Sequence, residues 1–300
     1  MKLKLALNTG FAVNRFILPE QWVYLFKDEL GINYAQVTAD MFMPYLIDPL
    51  AKKIAERTRN ICEKKGFIID STFTGAFTRL NNFSHPVAEV RDYTLKWFKA
   101  FADISVILGA NSLGSHLGIQ TIPENIDPES NQQILNTTIH YWEKLAEYAS
   151  KIGLKYLTWE PMSISREYGE TLEKASYIQS RFNKFPLPVK ICLDVDHGDV
   201  SSANKDDTNP YRWIEKFGKD APLIHLKQSH IDKGSHWPFT PEHNAKGKII
   251  PELVISSLTK AGAEEVCLIL ELSFRERSTI EKTMIDDLKE SVNFWITYCS

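Results

Sequence analysis

The sequence predicts an α/β protein folded as a single (β/α)8 TIM barrel. Three observations lead to this fold class. Eight short apolar segments rich in β-forming residues alternate with eight segments of helical periodicity along the 300 residues. No linker, low-complexity tract or shift in composition divides the chain, so we expect one domain over 1–300. Polar side chains follow the apolar runs, as expected where the strands of a barrel end at its mouth.

The predicted strands are short apolar runs with many β-branched and aromatic residues. Their length and composition favour strands over helices. The eight runs span 3–8, 32–39, 67–73, 112–117, 154–160, 189–195, 223–228 and 266–272.

The predicted helices lie between these runs, and several have recognisable ends. Proline or Asp-Pro signals precede some of them, and Gly66, Gly109, Gly153 and Gly262 follow others. A doubly wound open sheet is the structural alternative, but it requires a glycine-rich turn after the first strand, where LALNTGFAVN has one glycine. The eight helices are predicted over 19–29, 49–64, 86–108, 129–152, 169–183, 208–217, 249–261 and 280–297.

The composition of the chain restricts the class of binding partner and the cellular location that we expect. The charged fraction is 24% and the net charge is -3, so the chain has no basic field to attract nucleic acid or an anionic membrane. We therefore expect a small molecule as the partner. Because neither a signal peptide nor a membrane-spanning apolar run is found, the predicted location is cytoplasmic. Four widely spaced cysteines are predicted to be reduced thiols: Cys62, Cys192, Cys267 and Cys299.

The polar residues at the predicted strand ends include a set with the character of metal ligands. Glu160, Asp194, His225 and Glu271 follow the fifth to eighth strands, one each. Adjacent strands lie about 4.8 Å apart, so four successive strand ends can converge on one ion. Three carboxylates and an imidazole suit Mn, Mg, Co or Zn, and we favour Mn. Asp196 has the same strand parity as Asp194, so alternation leaves the choice between them open.

Short motifs around these residues resemble a known family. WEP contains Glu160, LDVDH contains Asp194 and His197, IHLKQ contains His225, and ILELS contains Glu271. In order and spacing they are similar to the motifs of the sugar-phosphate isomerase/epimerase family of xylose-isomerase-like barrels. The resemblance covers nearly the whole chain, and its LDxxH motif favours Asp194 as the ligand.

Longer stretches resemble the erythrulose-phosphate 3-epimerase branch of that family: STFTGAFTRLNNFSHP, GSHLGIQT, EPMSISRE and HWPFTPEHNAKG. This resemblance implies an isomerase that inverts C3 of a ketose or ketose phosphate through an enediolate stabilised by a divalent metal. It also implies that Glu160 and Glu271 act as the acid and base on opposite faces of the substrate.

Other residues near the predicted mouth are candidates for substrate binding. The segment 228–248 is longer than an ordinary βα loop and is predicted to form a lid. Arginine side chains match phosphate oxygens well, and a histidine can polarise a carbonyl. The candidates for contacts with substrate oxygens or phosphate are His116, His197, Lys227, Arg166, His236, His230, Arg275 and Arg277.

Rival functions share the same barrel. An aldose-ketose isomerase or a dehydratase would begin with the same metal-assisted proton removal. A non-catalytic sugar-binding barrel is a second alternative, although no expected ligand or glutamate is missing. A homodimer is a further expectation, with four tryptophans on the predicted helices as potential contacts: Trp22, Trp97, Trp142 and Trp213.

Overall fold

Eight parallel strands close into a barrel in the computed structural model, which describes residues 1–79, 81–230, 233–274 and 279–299. Around the barrel the order is β1-β10-β7-β6-β5-β4-β3-β2, and β8 pairs with β9 outside it. The predicted fold class is confirmed. The strands are β1 Lys2–Asn8, β2 Tyr34–Thr38, β3 Ile68–Phe73, β4 Ser112–His116, β5 Tyr156–Glu160, β6 Val189–Asp194, β7 Leu223–Leu226, β8 Gln228–His230, β9 Lys233–Trp237 and β10 Glu265–Leu270.

The helices form the outer layer and follow the predicted spans closely. The first one ends earlier than predicted, because Leu25–Glu29 continues as a wider π-helical turn. Two short helices, α4 and α8 in the list below, were not predicted because a single turn has no measurable periodicity. The helices are α1 Pro19–Tyr24, α2 Pro49–Lys65, α3 Ala88–Leu108, α4 Ile122–Ile126, α5 Pro128–Ile152, α6 Leu172–Arg181, α7 Pro210–Phe217, α8 Pro241–Asn244, α9 Pro251–Ala261 and α10 Met284–Ile296.

The main hydrophobic core lies between the barrel and the helices. Trp22, Trp142 and Trp213 are buried in this layer, with exposures of 4% or less, while Trp97 packs against it half-buried. Three of the four tryptophans therefore pack against the sheet, as helix faces in barrels commonly do, and offer no dimer surface; the homodimer itself stays a prediction.

A smaller apolar cluster fills the inside of the barrel and forms the floor beneath its mouth. All four cysteines are free thiols, as predicted, and two of them belong to this inner cluster. Because the floor is closed by packed side chains, polar groups higher on the same strands face the mouth of the barrel. The members of the inner cluster are Ala6, Phe73, Cys192, Leu223, Cys267 and Ile269.

The segment 228–248 after β7 contains secondary structure of its own. β8 and β9 form an antiparallel hairpin in which Gln228 pairs with Trp237, and α8 follows. The Gln228 amide donates to Asn244 Oδ1 at 2.9 Å and to the carbonyl of Ile249 at 3.1 Å, which ties both ends of the segment together. Its role as a lid stays a prediction. Every helix in the described part of the chain is too short or too polar to span a bilayer.

Candidate metal and substrate site

The four predicted ligands lie together at the mouth of the barrel. Glu160 and Asp194 end β5 and β6, His225 lies in β7, and Glu271 directly follows β10. These four strands are consecutive around the barrel, and Asp194 is in register with His225. One ligand atom from each residue lies within 4.8 Å of the corresponding atoms of the other three. The geometry is that of a compact cluster of three carboxylates and one imidazole.

Asp194, rather than Asp196, belongs to this cluster. Its Oδ1 accepts from the backbone N–H of Asp196 at 2.7 Å, and its Oδ2 accepts from Lys227 Nζ at 2.6 Å. The carboxylate of Asp196 instead pairs with Lys248 Nζ at 2.9 Å. Burial opposes ionisation, but the charges of His197 and Lys227 hold the pKa of Asp194 well below its usual value.

Lys227 places a buried positive charge among these carboxylates. Its Nζ lies 2.6 Å from Asp194 Oδ2, 3.4 Å from Glu271 Oε2 and 3.4 Å from His236 Nε2. Burial would lower the pKa of Lys227, but Asp194 and Glu271 raise it above its usual value. The side chain is 1% exposed and points inward like that of His225, as strand parity predicted. Lys227 is therefore an ammonium ion that partly offsets the charge of the cluster.

A buried glutamine fixes the orientation of the His225 ring. His225 Nδ1 lies 2.9 Å from Glu160 Oε1 and 3.8 Å from Glu271 Oε2, and its Nε2 lies 2.9 Å from Gln36 Oε1. That same amide oxygen also accepts from Asn8 Nδ2 at 2.7 Å. Because an amide oxygen only accepts, His225 Nε2 carries a hydrogen. Nδ1 carries a second hydrogen in the metal-free chain, because a carboxylate oxygen also only accepts. Loss of that hydrogen would leave a neutral ring with its Nδ1 lone pair toward the carboxylates, which is the form that a metal ion requires.

Cys192 lies beside the same imidazole but has a different character. Its Sγ is 3.6 Å from His225 Nε2, and with Glu160 it completes a second group of potential ligands. Burial raises the pKa of Cys192 to about 11. The thiol therefore keeps its proton near neutral pH, and a protonated thiol is a poor ligand. The group with three carboxylates is the better candidate for a metal ion.

Four of the predicted substrate-binding residues line a cavity of about 350 Å³ beside the cluster: His116, His197, Lys227 and His236. His197 donates from Nδ1 to the carbonyl of Pro161 at 2.9 Å, and its Nε2 lies 3.9 Å from Asp194 Oδ2. His116, at the end of β4, is 2% exposed, and its Nε2 has no hydrogen-bond partner in the described part of the chain. Burial, with the charges of Arg79 and His197, lowers the pKa of His116 to about 3, so its ring is neutral.

Other predicted contacts lie elsewhere. Arg166 does not line this cavity, because its guanidinium donates to the backbone carbonyl of Gln120 at 2.9 Å. His230 packs against Trp237, with ring centroids 3.5 Å apart and ring planes inclined by 48°. Arg275 and Arg277 lie outside the described residues.

Arg79 lines the cavity from the loop after β3 and was not among the predicted contacts. Its guanidinium forms an ion pair with the buried carboxylate of Glu167. The residue lies within the stretch STFTGAFTRLNNFSHP that carries part of the family resemblance, six positions past the end of the strand. Nothing in the spacing of a loop residue indicates where its side chain points.

A second cavity of about 600 Å³ shares part of its wall with the first. Loops after β1, β2, β3 and β10 form most of its walls, and Gly75, Ala76, His236 and Glu271 line both cavities. Of the four cluster residues, Glu160 and Glu271 line the smaller cavity, and Glu271 also lines the larger one.

The chain belongs to the xylose isomerase-like TIM barrel family, whose model matches residues 28–297. It is an isomerase-class enzyme. A protein of Brucella abortus (strain 2308) named D-erythrulose 1-phosphate 3-epimerase is 39% identical over 297 residues, which cover 98% of this chain and 96% of that protein. The predicted family is therefore confirmed.

Solved structures share the fold at lower identity. A putative xylose isomerase from Rhodospirillum rubrum has a TM-score of 0.87 and 22% identity, with 99% of each chain covered. A D-psicose 3-epimerase, solved in the presence of D-fructose, has a TM-score of 0.70 and 16% identity, with 98% of each chain covered.

Proposed function

We propose that this chain is a metal-dependent epimerase that inverts C3 of a ketose or ketose phosphate, such as erythrulose phosphate. The observation that carries the proposal is the convergence of Glu160, Asp194, His225 and Glu271 within 4.8 Å. The name of the Brucella abortus relative supports the substrate class and the reaction.

The donor set fits a divalent metal ion. Glu160, Asp194 and Glu271 would hold it through oxygen, and His225 through Nδ1 after loss of the hydrogen there, because the Gln36 contact keeps the other hydrogen on Nε2. Mixed oxygen and nitrogen ligands suit Mn, which we favour over Mg, Co and Zn. When bound, the ion would polarise the substrate carbonyl and offset the negative charge that develops on its oxygen.

In the proposed mechanism, Glu160 and Glu271 exchange protons with the two faces of the substrate. They stand at the two ends of the arc of four strands, with β6 and β7 between them. Burial opposes the ionisation of Glu271, but the charges of His225 and Lys227 lower its pKa, so its carboxylate is ready to accept a proton. One glutamate removes the proton from C3, and the other returns a proton to the opposite face of the planar intermediate.

Lys227 and His197 orient the substrate. Lys227 Nζ lies 3.4 Å from Glu271 Oε2, so a substrate oxygen close to that carboxylate is within reach of the ammonium. His197 donates from Nδ1 to a backbone carbonyl, which fixes its ring with Nε2 toward the cluster. Both contacts favour an oxygen-rich, negatively polarised substrate.

A deuterium experiment tests the reaction. The full-length protein is stripped of metal, restored with Mn and incubated with tetrulose phosphates in deuterium oxide. Epimerisation places deuterium on the inverted carbon of a ketose product. An aldose product would instead show an aldose-ketose isomerase, and loss of substrate to an unsaturated product would show a dehydratase.

Glu160→Gln and Glu271→Gln test the roles of the two carboxylates. Each should lower kcat by about 10²- to 10⁴-fold, the usual contribution of general acid-base catalysis. Glu170→Gln is the matched control, since Glu170 is also buried, 3% exposed, but pairs with Lys174 and lines neither cavity. Full turnover by either of the first two variants would rule out the two-glutamate mechanism.

A further inference from the structure

The two cavities beside the cluster differ in the positive charge that they can offer a ligand. In the larger one, the guanidinium of Arg15 is already engaged. It donates to the carbonyls of Phe11 at 2.9 Å and Phe274 at 2.8 Å, and it pairs with Glu281. Asp40 also lines this cavity and adds a negative charge. An anionic group would find no available cation among the described residues of that wall.

The smaller cavity offers uncommitted donors. Arg79 has one ion pair within the described ranges, to Glu167, and its side chain is 48% exposed, so most of its N–H groups remain available. His116 lines the same cavity and is 2% exposed, with Nε2 unpartnered among the described residues. The cavity wall therefore combines an exposed guanidinium with a buried imidazole.

The neutral imidazole of His116 is suited to donate a hydrogen bond rather than to act as a general base. Burial and the nearby charges of Arg79 and His197 lower the pKa of His116 to about 3. The ring is therefore neutral at physiological pH, and one of its nitrogens carries a hydrogen. An anion placed between Arg79 and His116 would accept hydrogen bonds from the charged guanidinium N–H groups on one side and from a neutral imidazole on the other.

We propose that Arg79 and His116 form a phosphate subsite, which binds the phosphate of the substrate while its carbonyl oxygen and C3 lie at the four-residue cluster. The inference rests on the proposed function, and it assigns the phosphate to the smaller cavity. Glu167 acts as a positioning residue, because its carboxylate holds the guanidinium of Arg79 at the wall of this cavity.

The test compares arginine variants of the full-length, metal-loaded protein. The probes are inorganic phosphate as a competitive inhibitor, and erythrulose with and without phosphate as substrates. Arg79→Gln should raise the Ki of phosphate and the KM of the phosphorylated ketose roughly 10- to 150-fold, the usual effect of losing hydrogen bonds to a charged group. The KM of the unphosphorylated ketose should not change.

Arg57→Gln is the matched control. Arg57 is also half exposed, at 50%, and also pairs with a glutamate, Glu20, but on the outer helix layer. Its phosphate Ki should equal that of the unsubstituted protein, and any phosphate bound directly by the metal contributes equally to both variants. His116→Asn should weaken phosphate inhibition in the same direction, and thermal melts confirm that each variant is folded.

The outcomes separate this inference from the proposed function. Unchanged phosphate inhibition in folded Arg79→Gln overturns the subsite, as does a loss confined to Arg166→Gln. If the unsubstituted protein inverts both ketoses with equal KM, the subsite is wrong while the epimerase stands. If no ketose is inverted but phosphate binding still depends on Arg79, the subsite stands and the proposed reaction fails.

Discussion

Replacing Gln36 should weaken metal binding, although this residue is not itself a predicted ligand. In Gln36→Leu, the N–H at His225 Nε2 loses the amide oxygen that lies 2.9 Å away, in a place where both side chains are fully buried. An unsatisfied buried donor costs about 1–3 kcal/mol. That range corresponds to roughly a 5- to 150-fold increase in Kd. It agrees with the losses of about 10- to 100-fold that follow removal of groups supporting metal ligands elsewhere.

The assay is a titration of the metal-stripped protein with Mn, with free Mn measured by electron paramagnetic resonance. This readout does not depend on turnover. Thr72→Val is the matched control, because Thr72 is equally buried in β3 but its hydroxyl bonds to Ser105 on the helix side of the sheet, 2.6 Å away. Both variants lose one buried polar group, so a general loss of stability affects them alike.

The reasoning predicts a weaker Mn affinity for Gln36→Leu alone. A folded Gln36→Leu protein with the Kd of the unsubstituted chain would show that the amide does not set the tautomer of His225. Equal losses in Gln36→Leu and Thr72→Val would show that barrel packing, and not the orientation of the imidazole, controls the affinity.

Three further predictions concern charge and backbone. The pKa of His225 is raised well above its usual 6.5, so the protonated ring stabilises the metal-stripped fold below that pH, and the contribution is lost as pH rises through the raised value. Mn binding must displace this proton, so titration calorimetry in two buffers should show net proton release at pH 7 and weaker binding at lower pH. Lys227→Met should destabilise the metal-stripped protein by about 3–5 kcal/mol in urea unfolding, since it leaves Asp194 unpaired, and Mn should restore part of the loss. Gly198→Ala should cost about 1–3 kcal/mol or more and lower the Tm, because φ is +123° and a Cβ would lie 1.8 Å from the Asp207 carbonyl oxygen. An unchanged Tm would contradict the strain at this turn.

The strands and their functional ends could be predicted because both follow from short-range patterns. The predicted run 189–195 and the observed strand Val189–Asp194 differ by one residue. Parallel strands end at one edge of the barrel, so knowing the strand ends was enough to bring Glu160, Asp194, His225 and Glu271 together. No loop had to be placed for that prediction.

Side chains whose role depends on register or on loop conformation could not be predicted. Gln36 lies within β2, and its contact with His225 joins residues on opposite sides of the barrel interior. Arg79 lies in the loop after β3 and Arg166 in a 3-10 turn after β5; the sequence singled out Arg166, whereas Arg79 lines the cavity. The backbone carbonyl of Gln120 engages Arg166, whereas Arg79 is held toward the cavity by Glu167. Long-range contacts, which composition and periodicity do not record, decide between the two.

Charge balance connects the metal site with the phosphate subsite. Three carboxylates in the cluster face one ammonium, Lys227, and one imidazolium, His225, which leaves a single net negative charge. A divalent ion that displaces the proton of His225 brings the same group to neutrality. A neutral cluster has no spare positive charge for a phosphate dianion, so a further cation has to neutralise the phosphate. In the proposed subsite Arg79 supplies that charge from the wall of the same cavity that Glu160 and Glu271 line.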